Sequence, residues 1–221
     1  MVMEQGNVIW RADLAARAAV RDSAALASPV LQATARAANW WGGPGVIWFA
    51  AAMWLGARAV GWRRVSRAGL RGTEALAVAS GVSGIIKGLA GRARPFVEWN
   101  APWHWEFNHG WADARFFSMP SGHTTATTAF VVGVLCASAS WSLRLRIGVV
   151  APLLGSVLWV MWGRMFADQH WLTDVCAAVV IGAVTAFVLA RIHGGRAESA
   201  YDRVMLGPWT MGDGRSSRRP E

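Results

Sequence analysis

The stretch Gly163–Asp174 reads GRMFADQHWLTD and puts Arg164, His170 and Asp174 within twelve residues. His170 and Asp174 are four apart; if a helix already runs there, one turn separates them and both side chains share a face. A carboxylate so placed can accept one imidazole N–H, fix the tautomer and leave the other ring nitrogen free as a nucleophile. Arg164 adds a permanent cation whose planar fork suits phosphate oxygens. A helix-start histidine beside an N-terminal aspartate would give the same letters, so the stretch does not decide by itself.

Two further groups carry the same kind of chemistry. Lys87 stands in an apolar run, and Arg94-Pro95 follows it after six intervening residues. A separation of seven is about two helical turns, so both cations could face one anion, while Pro95 turns Arg94 away from helix. A lysine that deep in an apolar helix is costly and points to function, the alternative being a side chain that snorkels to the headgroups. The third group is Pro120-Ser121-Gly122-His123, at the start of another apolar run. Serine before glycine at a helix start offers a hydroxyl cap and exposed backbone N–H groups, an anion-binding arrangement. His123 falls just inside the first turn, as a capping or interfacial histidine also would.

The elements that must position these groups follow from composition. Of 221 residues 54% are hydrophobic and 16% charged, with 15 Trp against 1 Tyr. Mean hydropathy is +0.28. That is too apolar for an ordinary soluble domain, and tryptophan favours the headgroup region of a bilayer. The net charge of +9 comes from arginines between and after apolar blocks, as positive-inside loops do, which argues against nucleic acid as a partner. Cys136 and Cys176 both fall inside apolar runs, form no CxxC, and read as buried, inert thiols.

Along the chain, residues 1–43 form an Ala-rich N-terminal segment with interspersed arginines, expected to be amphipathic and interfacial. Pro29 after Ser28 should divide it into two helices, and Trp40-Trp41-Gly42-Gly43-Pro44 reads as an aromatic belt and a break. Spanning candidates are Gly45–Gly61, Thr73–Ala90, Gly122–Ser140, Ile147–Trp162 and Val175–Ala190, each near the length that crosses a hydrocarbon core of about 30 Å. The expected fold is therefore all-α, an integral-membrane helical bundle of about five transmembrane helices plus the N-terminal segment. The domain division is 1–43, a transmembrane domain 44–192, and a disordered cytoplasmic tail 193–221. Arg-rich connections after the first, third and fifth spans set the cytoplasmic side. Lys87, Arg94, Ser121, Gly122, His123, Arg164, His170 and Asp174 then all fall on the outer face.

Lys87-x6-Arg94-Pro95, Pro120-Ser121-Gly122-His123 and Arg164-x5-His170-x3-Asp174 together resemble the type 2 phosphatidic acid phosphatase superfamily. That group also includes undecaprenyl-diphosphate phosphatases and, on a related helical fold, vanadium haloperoxidases. With the intervening spans the resemblance covers about Thr73 to Ala190. It implies that His170 attacks phosphorus to form a phosphohistidine, that Asp174 orients it, and that His123 protonates the leaving oxygen and then activates water. It further implies that Lys87, Arg94, Ser121, the Gly122 amide and Arg164 hold the phosphate oxygens, with no metal and no cofactor. The expected protein is a phosphatase of a lipid phosphate or diphosphate in a bacterial inner membrane, its site facing the periplasm. Its partners would be that lipid and the bilayer, and its oligomeric state is not legible. The alternatives are a haloperoxidase-like oxidoreductase and a non-catalytic lipid-binding or transport protein.

Two departures from the pattern stand out. Gly163 occupies the position where the family usually has serine, so a supporting hydroxyl is lost. Many bacterial members have six spans, against five read here. Elsewhere, His104 and His109 lie near Glu98, Glu106 and Asp113 without a tight metal-ligand spacing, which favours headgroup contact. Asp168 beside the catalytic turn could tune His170 or be a solvated loop charge.

Overall fold

The computed structural model describes residues 8–193, all of its regular structure helical; of the expected tail, 193–221, His193 closes the last helix and the rest lies outside the described residues. The helix nearest the centre is α7 (Gly122–Ala137). It is rich in small and hydroxyl residues, and Thr124, Thr125, Thr127, Thr128, Ala129 and Gly133 are all buried. Small side chains let backbones approach closely, and their van der Waals contact is what holds helices together in a bilayer. Around α7 pack α6 (Arg63–Ala90), α8 (Leu143–Phe166) and α9 (Leu172–His193). A Cβ at Gly133 would stand 2.8 Å from the carbonyl oxygen of Arg71 on α6, and one at Gly182 on α9 would stand 2.7 Å from that of Thr125.

The large apolar side chains point the other way. Leu158 on α8, Val180, Val184 and Ile192 on α9, and Val78 and Ile85 on α6 are all exposed. So many outward-facing aliphatic residues would form an oversized apolar patch on a soluble monomer, whereas hydrocarbon tolerates them. Among the described residues α8 and α9 are long and apolar enough to cross a membrane, and α7 is apolar but shorter.

Before this bundle come α1 (Val8–Val20), α2 (Ser23–Ala27) and α3 (Pro29–Trp40). The division expected at Pro29 is present: Ser28 caps α3, its hydroxyl oxygen accepting from Leu31 N at 3.3 Å, and Pro29 takes the first helical position. The break expected at Gly42-Gly43-Pro44 is present too, as a kink at Gly43, whose backbone is not helical. The chain continues through a wide helical turn, Trp41–Gly45, into α4 (Val46–Ala51), a second wide turn, Ala52–Gly56, and α5 (Ala57–Ala59). Proline removes one N–H from the ladder, and Gly43, at φ −100 and ψ −110, absorbs the bend.

A difference from expectation concerns the basic connection after the first span. Arg63, Arg64, Arg67 and Arg71 form the opening turns of α6, which is 28 residues long and not confined to Thr73–Ala90. Arginine, alanine and leucine are good helix formers, and Arg71 is held by Glu74 one turn on at 2.8 Å. Cys136 is half-buried and Cys176 exposed; the thiol of Cys176 is not buried as expected, because it faces outward among the aliphatic residues of α9.

The start of α6 and the ends of α7 and α9 share one end of the bundle, where Arg67, Arg71, Glu74, Cys136 and His193 line a cavity of about 290 Å³. The other end receives the end of α6, the start of α7, and the α8–α9 turn. A long loop covers it. α6 stops at Gly91, whose left-handed φ of 57° suits glycine and whose missing Cβ makes room for the Glu106 carbonyl. Trp111 then packs on Gly88, and Arg92 makes backbone bridges to Trp105 and Phe117. The lid-like loop is thus pinned to the helix that carries Lys87.

Candidate active site

All the residues singled out by spacing lie at this one end. Lys87 is 7% exposed, on the last turns of α6. Its ammonium donates to the carbonyls of Phe117 at 3.0 Å and Ser118 at 3.4 Å and sits 5.2 Å from the Phe117 ring centre. It therefore points inward to the loop and does not snorkel to headgroups. Its Cε would be 3.4 Å from a Cβ on Gly122, so the lysine tail runs beside the start of α7.

Ser121 is the residue before that helix, fully buried, and its backbone N–H donates to the Asp174 carbonyl at 3.2 Å. The hydroxyl cap expected there does not form. Ser121 Oγ instead accepts from Thr124 Oγ1 at 3.0 Å and makes no bond to the helix backbone. Its own proton and the first amides of α7 thus stay available to an anion at the positive end of the helix. His123 is half-buried two residues further on. The charges of Arg164, Lys87 and Arg94 act on it, and the wide turn packs so close that a Cβ at Gly43 would stand 3.0 Å from its Nε2.

His170 and Asp174 are not on one helix face, because α9 begins only at Leu172. Asp174 sits in the first turn, where a carboxylate is favoured by the helix dipole, and Oδ2 accepts the Trp171 N–H at 2.8 Å, half of a capping box. The same oxygen accepts the Ser118 hydroxyl at 2.6 Å, and Oδ1 takes Arg92 at 2.5 Å. His170 Nδ1 lies 3.7 Å from Asp174 Oδ2, close for an ion pair but too long for a hydrogen bond. Contacts of this kind commonly tighten when charge develops on the imidazole. Burial pushes the His170 pKa down to about 3, the Asp174 carboxylate pulling the other way, so the ring is a neutral base at ordinary pH.

Three arginines approach the site in two different manners. Arg94 NH1 donates to the side chain of Gln169, and Arg164 NH1 donates to Asn39 Oδ1 at 3.1 Å. Each keeps a buried Nε without a partner. Arg92 is different: its donors go to Pro102 O, Thr173 Oγ1, Asp174 Oδ1 and Asp13 Oδ2 at 2.5–2.8 Å, which engages all five N–H bonds of the guanidinium. Indoles of Trp103, Trp105 and Trp171 surround it at 5.1–5.8 Å.

Spacing did not reveal Arg92, Asp13, Ser118, Asn39, Thr173 or Gln169. The available signals were weak: a second arginine two places before Arg94, and a single acid in α1. Asp168 is neither solvated nor beside His170 as a tuning charge; Arg17 binds both its oxygens at 2.7 Å, fixing α1 to the α8–α9 turn. His104 pairs with Glu98 at 2.9 Å and Glu106 at 3.1 Å, and Asp113 caps its own turn with Arg115. Among the described residues no group of three or more His, Cys, Asp or Glu side chains is arranged to hold a metal ion.

The departure at Gly163 has a packing cause. A Cβ there would stand 2.6 Å from the Cβ of Ala38, so α3 lies too close to α8 for serine, and the next residue of α3, Asn39, reaches Arg164. Gly163→Ser is therefore expected to destabilise the fold by about 1–3 kcal/mol, the range for overpacking, seen as a lower unfolding midpoint in detergent. An unchanged midpoint would show that α3 does not hold this position.

No curated protein and no solved structure gives a significant match to the chain. The model of the PAP2 superfamily matches residues 70–198, a span that carries every group predicted to do the chemistry, and membership is consistent with a phosphatase-type hydrolase or a related activity. Matched over more than half its length and holding the arginines, histidines and helix start at one buried end, the chain belongs to the PAP2 superfamily.

Proposed function

We propose that the protein is an integral-membrane phosphatase that hydrolyses a lipid phosphate or diphosphate, of the undecaprenyl diphosphate or phosphatidate type, through a phosphohistidine. The observation that carries this is the pair of buried guanidinium Nε donors of Arg94 and Arg164, unpartnered at the same end of the bundle as the equally buried His170 Nδ1. Unpaired donors on buried cations are costly to keep, and an oxyanion would satisfy them. Lys87, the Ser121 hydroxyl and the first amides of α7 supply the rest of the cradle.

In the proposed reaction Nδ1 of His170 faces Asp174, which leaves Nε2 for phosphorus. Its lone pair forms the N–P bond as the bond to the leaving oxygen breaks, and that oxygen takes a proton from His123. Water then attacks the phosphohistidine while giving its proton to His123, and the N–P bond breaks to release phosphate. The three cations neutralise charge on the equatorial oxygens, the role a divalent ion has in other phosphoryl-transfer sites. The outward aliphatic faces of α6, α8 and α9 support a substrate with apolar tails. They also favour a bilayer enzyme over a haloperoxidase-like one, and two histidines, of which His170 has a held carboxylate beside it, favour catalysis over passive binding.

By this reading there are five spans, with residues 1–43 at the interface and the site on the periplasmic side of a bacterial inner membrane. The helix ends agree in sense: arginines 63, 64, 67, 71, 144, 146 and 191 lie on the ends of α6, α8 and α9 away from the site, as cytoplasmic ends should.

Purified protein in detergent should release phosphate from a member of a panel of lipid phosphates and diphosphates. His170→Ala should abolish release, and His123→Ala should lower it by about 10²–10⁴-fold, the range for a lost general acid–base group. Near-normal turnover in a clean His170→Ala preparation would end the phosphohistidine reading. Activity should also persist in EDTA, and an absolute need for Mg²⁺ would show that the cations do not suffice.

Sidedness is tested apart from the chemistry. In a Cys136→Ala/Cys176→Ala background, an impermeant maleimide on intact spheroplasts should label Asn100→Cys, exposed on the loop over the site, and spare Arg64→Cys, exposed at the far end of α6. The reverse pattern would turn the site to the cytoplasm.

A further inference from the structure

The N-terminal helix α1 reaches the nucleophile through a chain of buried charges. Asp13 is fully buried although it is the sole acid of α1. Its Oδ1 accepts the Thr173 N–H at 2.8 Å, and its Oδ2 accepts the Thr173 hydroxyl at 2.8 Å and Arg92 NH2 at 2.7 Å. Arg92 passes from Asp13 to Asp174, and Asp174 faces His170. Asp13 lies far outside residues 70–198, the segment that the superfamily pattern covers.

Charge counting shows what Asp13 contributes. Arg92 and Asp174 alone would sum to zero, and a neutralised Asp174 could do little for a neighbouring cation. With Asp13 on the other edge of the guanidinium the cluster carries one net negative charge. That charge sits in a dry interior, where electrostatic interactions are strong. Meanwhile Lys87 and Arg164 both act on His170 with the opposite sign. They suit the phosphate oxygens but oppose the positive charge that a neutral imidazole gains as its nitrogen bonds to phosphorus. Something must offset them on the ring side.

We propose that Asp13 is a positioning residue for the nucleophile: it shares Arg92 with Asp174, keeps the cluster net negative, and so stabilises His170 as it becomes cationic on bonding to phosphorus. The proposal rests on the phosphohistidine reading. A purely structural Asp13 would only dock α1 onto α9, and the two roles differ in what they do to ligands. Orthovanadate can take a ring nitrogen as a fifth ligand, which puts positive charge on the imidazole. Inorganic phosphate stays tetrahedral and makes no such bond.

The test uses the full-length protein in detergent with the near-isosteric Asp13→Asn. Groups that orient a metal-ligating histidine typically cost about 10–100-fold when removed, and by analogy a loss of about that size is expected in kcat with KM little changed. Calorimetric affinity for orthovanadate should fall by a similar factor while affinity for inorganic phosphate holds. Arg17→Gln, which loosens α1 at Asp168 without touching the cluster, should leave the ratio of the two affinities as in wild type. Should Asp13→Asn not fold, Thr173→Val removes the hydroxyl that touches both Asp13 and Arg92, and it should lower vanadate affinity selectively, in smaller measure. Wild-type kcat and vanadate affinity in Asp13→Asn, equal loss of both anions, or an unchanged ratio in Thr173→Val would each overturn the role of Asp13. Wild-type protein that binds neither anion and releases no phosphate would instead remove the phosphohistidine reading itself.

Discussion

A carboxylate with no exposed surface must have its charge met inside the protein, and Asp174 meets this demand with three separate parts of the chain. Arg92 and Ser118 come from the long loop, the Trp171 amide from the start of α9, and through Arg92 the acid of α1 joins them. Breaking one partner of such a buried pair costs about 3–5 kcal/mol, because the charge left behind cannot be solvated. The loop, α1 and the α8–α9 turn therefore cannot be arranged independently. Wherever Asp174 is held, His170 is held four residues before it.

The same end of the bundle shows why three arginines so close together do not simply repel. Arg92 is enclosed by two carboxylates, a hydroxyl, a carbonyl and three indoles, and has no donor to spare. Arg94 and Arg164 are each steadied at one corner by an amide oxygen, of Gln169 and Asn39, which fixes geometry without cancelling charge. Neutral anchors leave the positive charge of both guanidiniums uncancelled, whereas carboxylate anchors would have consumed it. The distinction between a supporting arginine and a binding arginine lies in the partner and not in the residue.

The extent to which this was legible in the sequence follows from what local spacing can encode. The three motif groups and their common end could be read because chemistry-bearing residues at fixed intervals, flanked by apolar runs, constrain topology before any contact is known. The Pro29 break was equally local. Asp13 and Asn39 were not readable in this way, since each acts 161 and 125 residues away from Asp174 and Arg164 in sequence and belongs to a segment whose composition suggests only an interfacial helix. The hydroxyl of Ser121 was misjudged for a related reason: a serine before a helix caps it in general, but Thr124 one turn on captures this oxygen. Likewise, arginines 63, 64, 67 and 71 read as a loop by charge, although helix propensity carries α6 through them.

Gly163 brings these threads to one place. In the family pattern a serine there stands beside the phosphate-binding arginine, and its absence looks like a loss when the motif is viewed alone. In the fold it is a requirement of contact: with no Cβ at Gly163, the Ala38 methyl can lie against α8, and that approach is what sets Asn39 at 3.1 Å from Arg164 NH1. A polar group has moved from the motif's own helix to a helix outside it. The consequence is that the N-terminal helices cannot be regarded as an appendage to the catalytic bundle. One of them holds the far edge of the Arg92 that binds Asp174, and another bonds Arg164, so any substitution that shifts either helix acts on this end of the bundle across helix packing rather than along the chain.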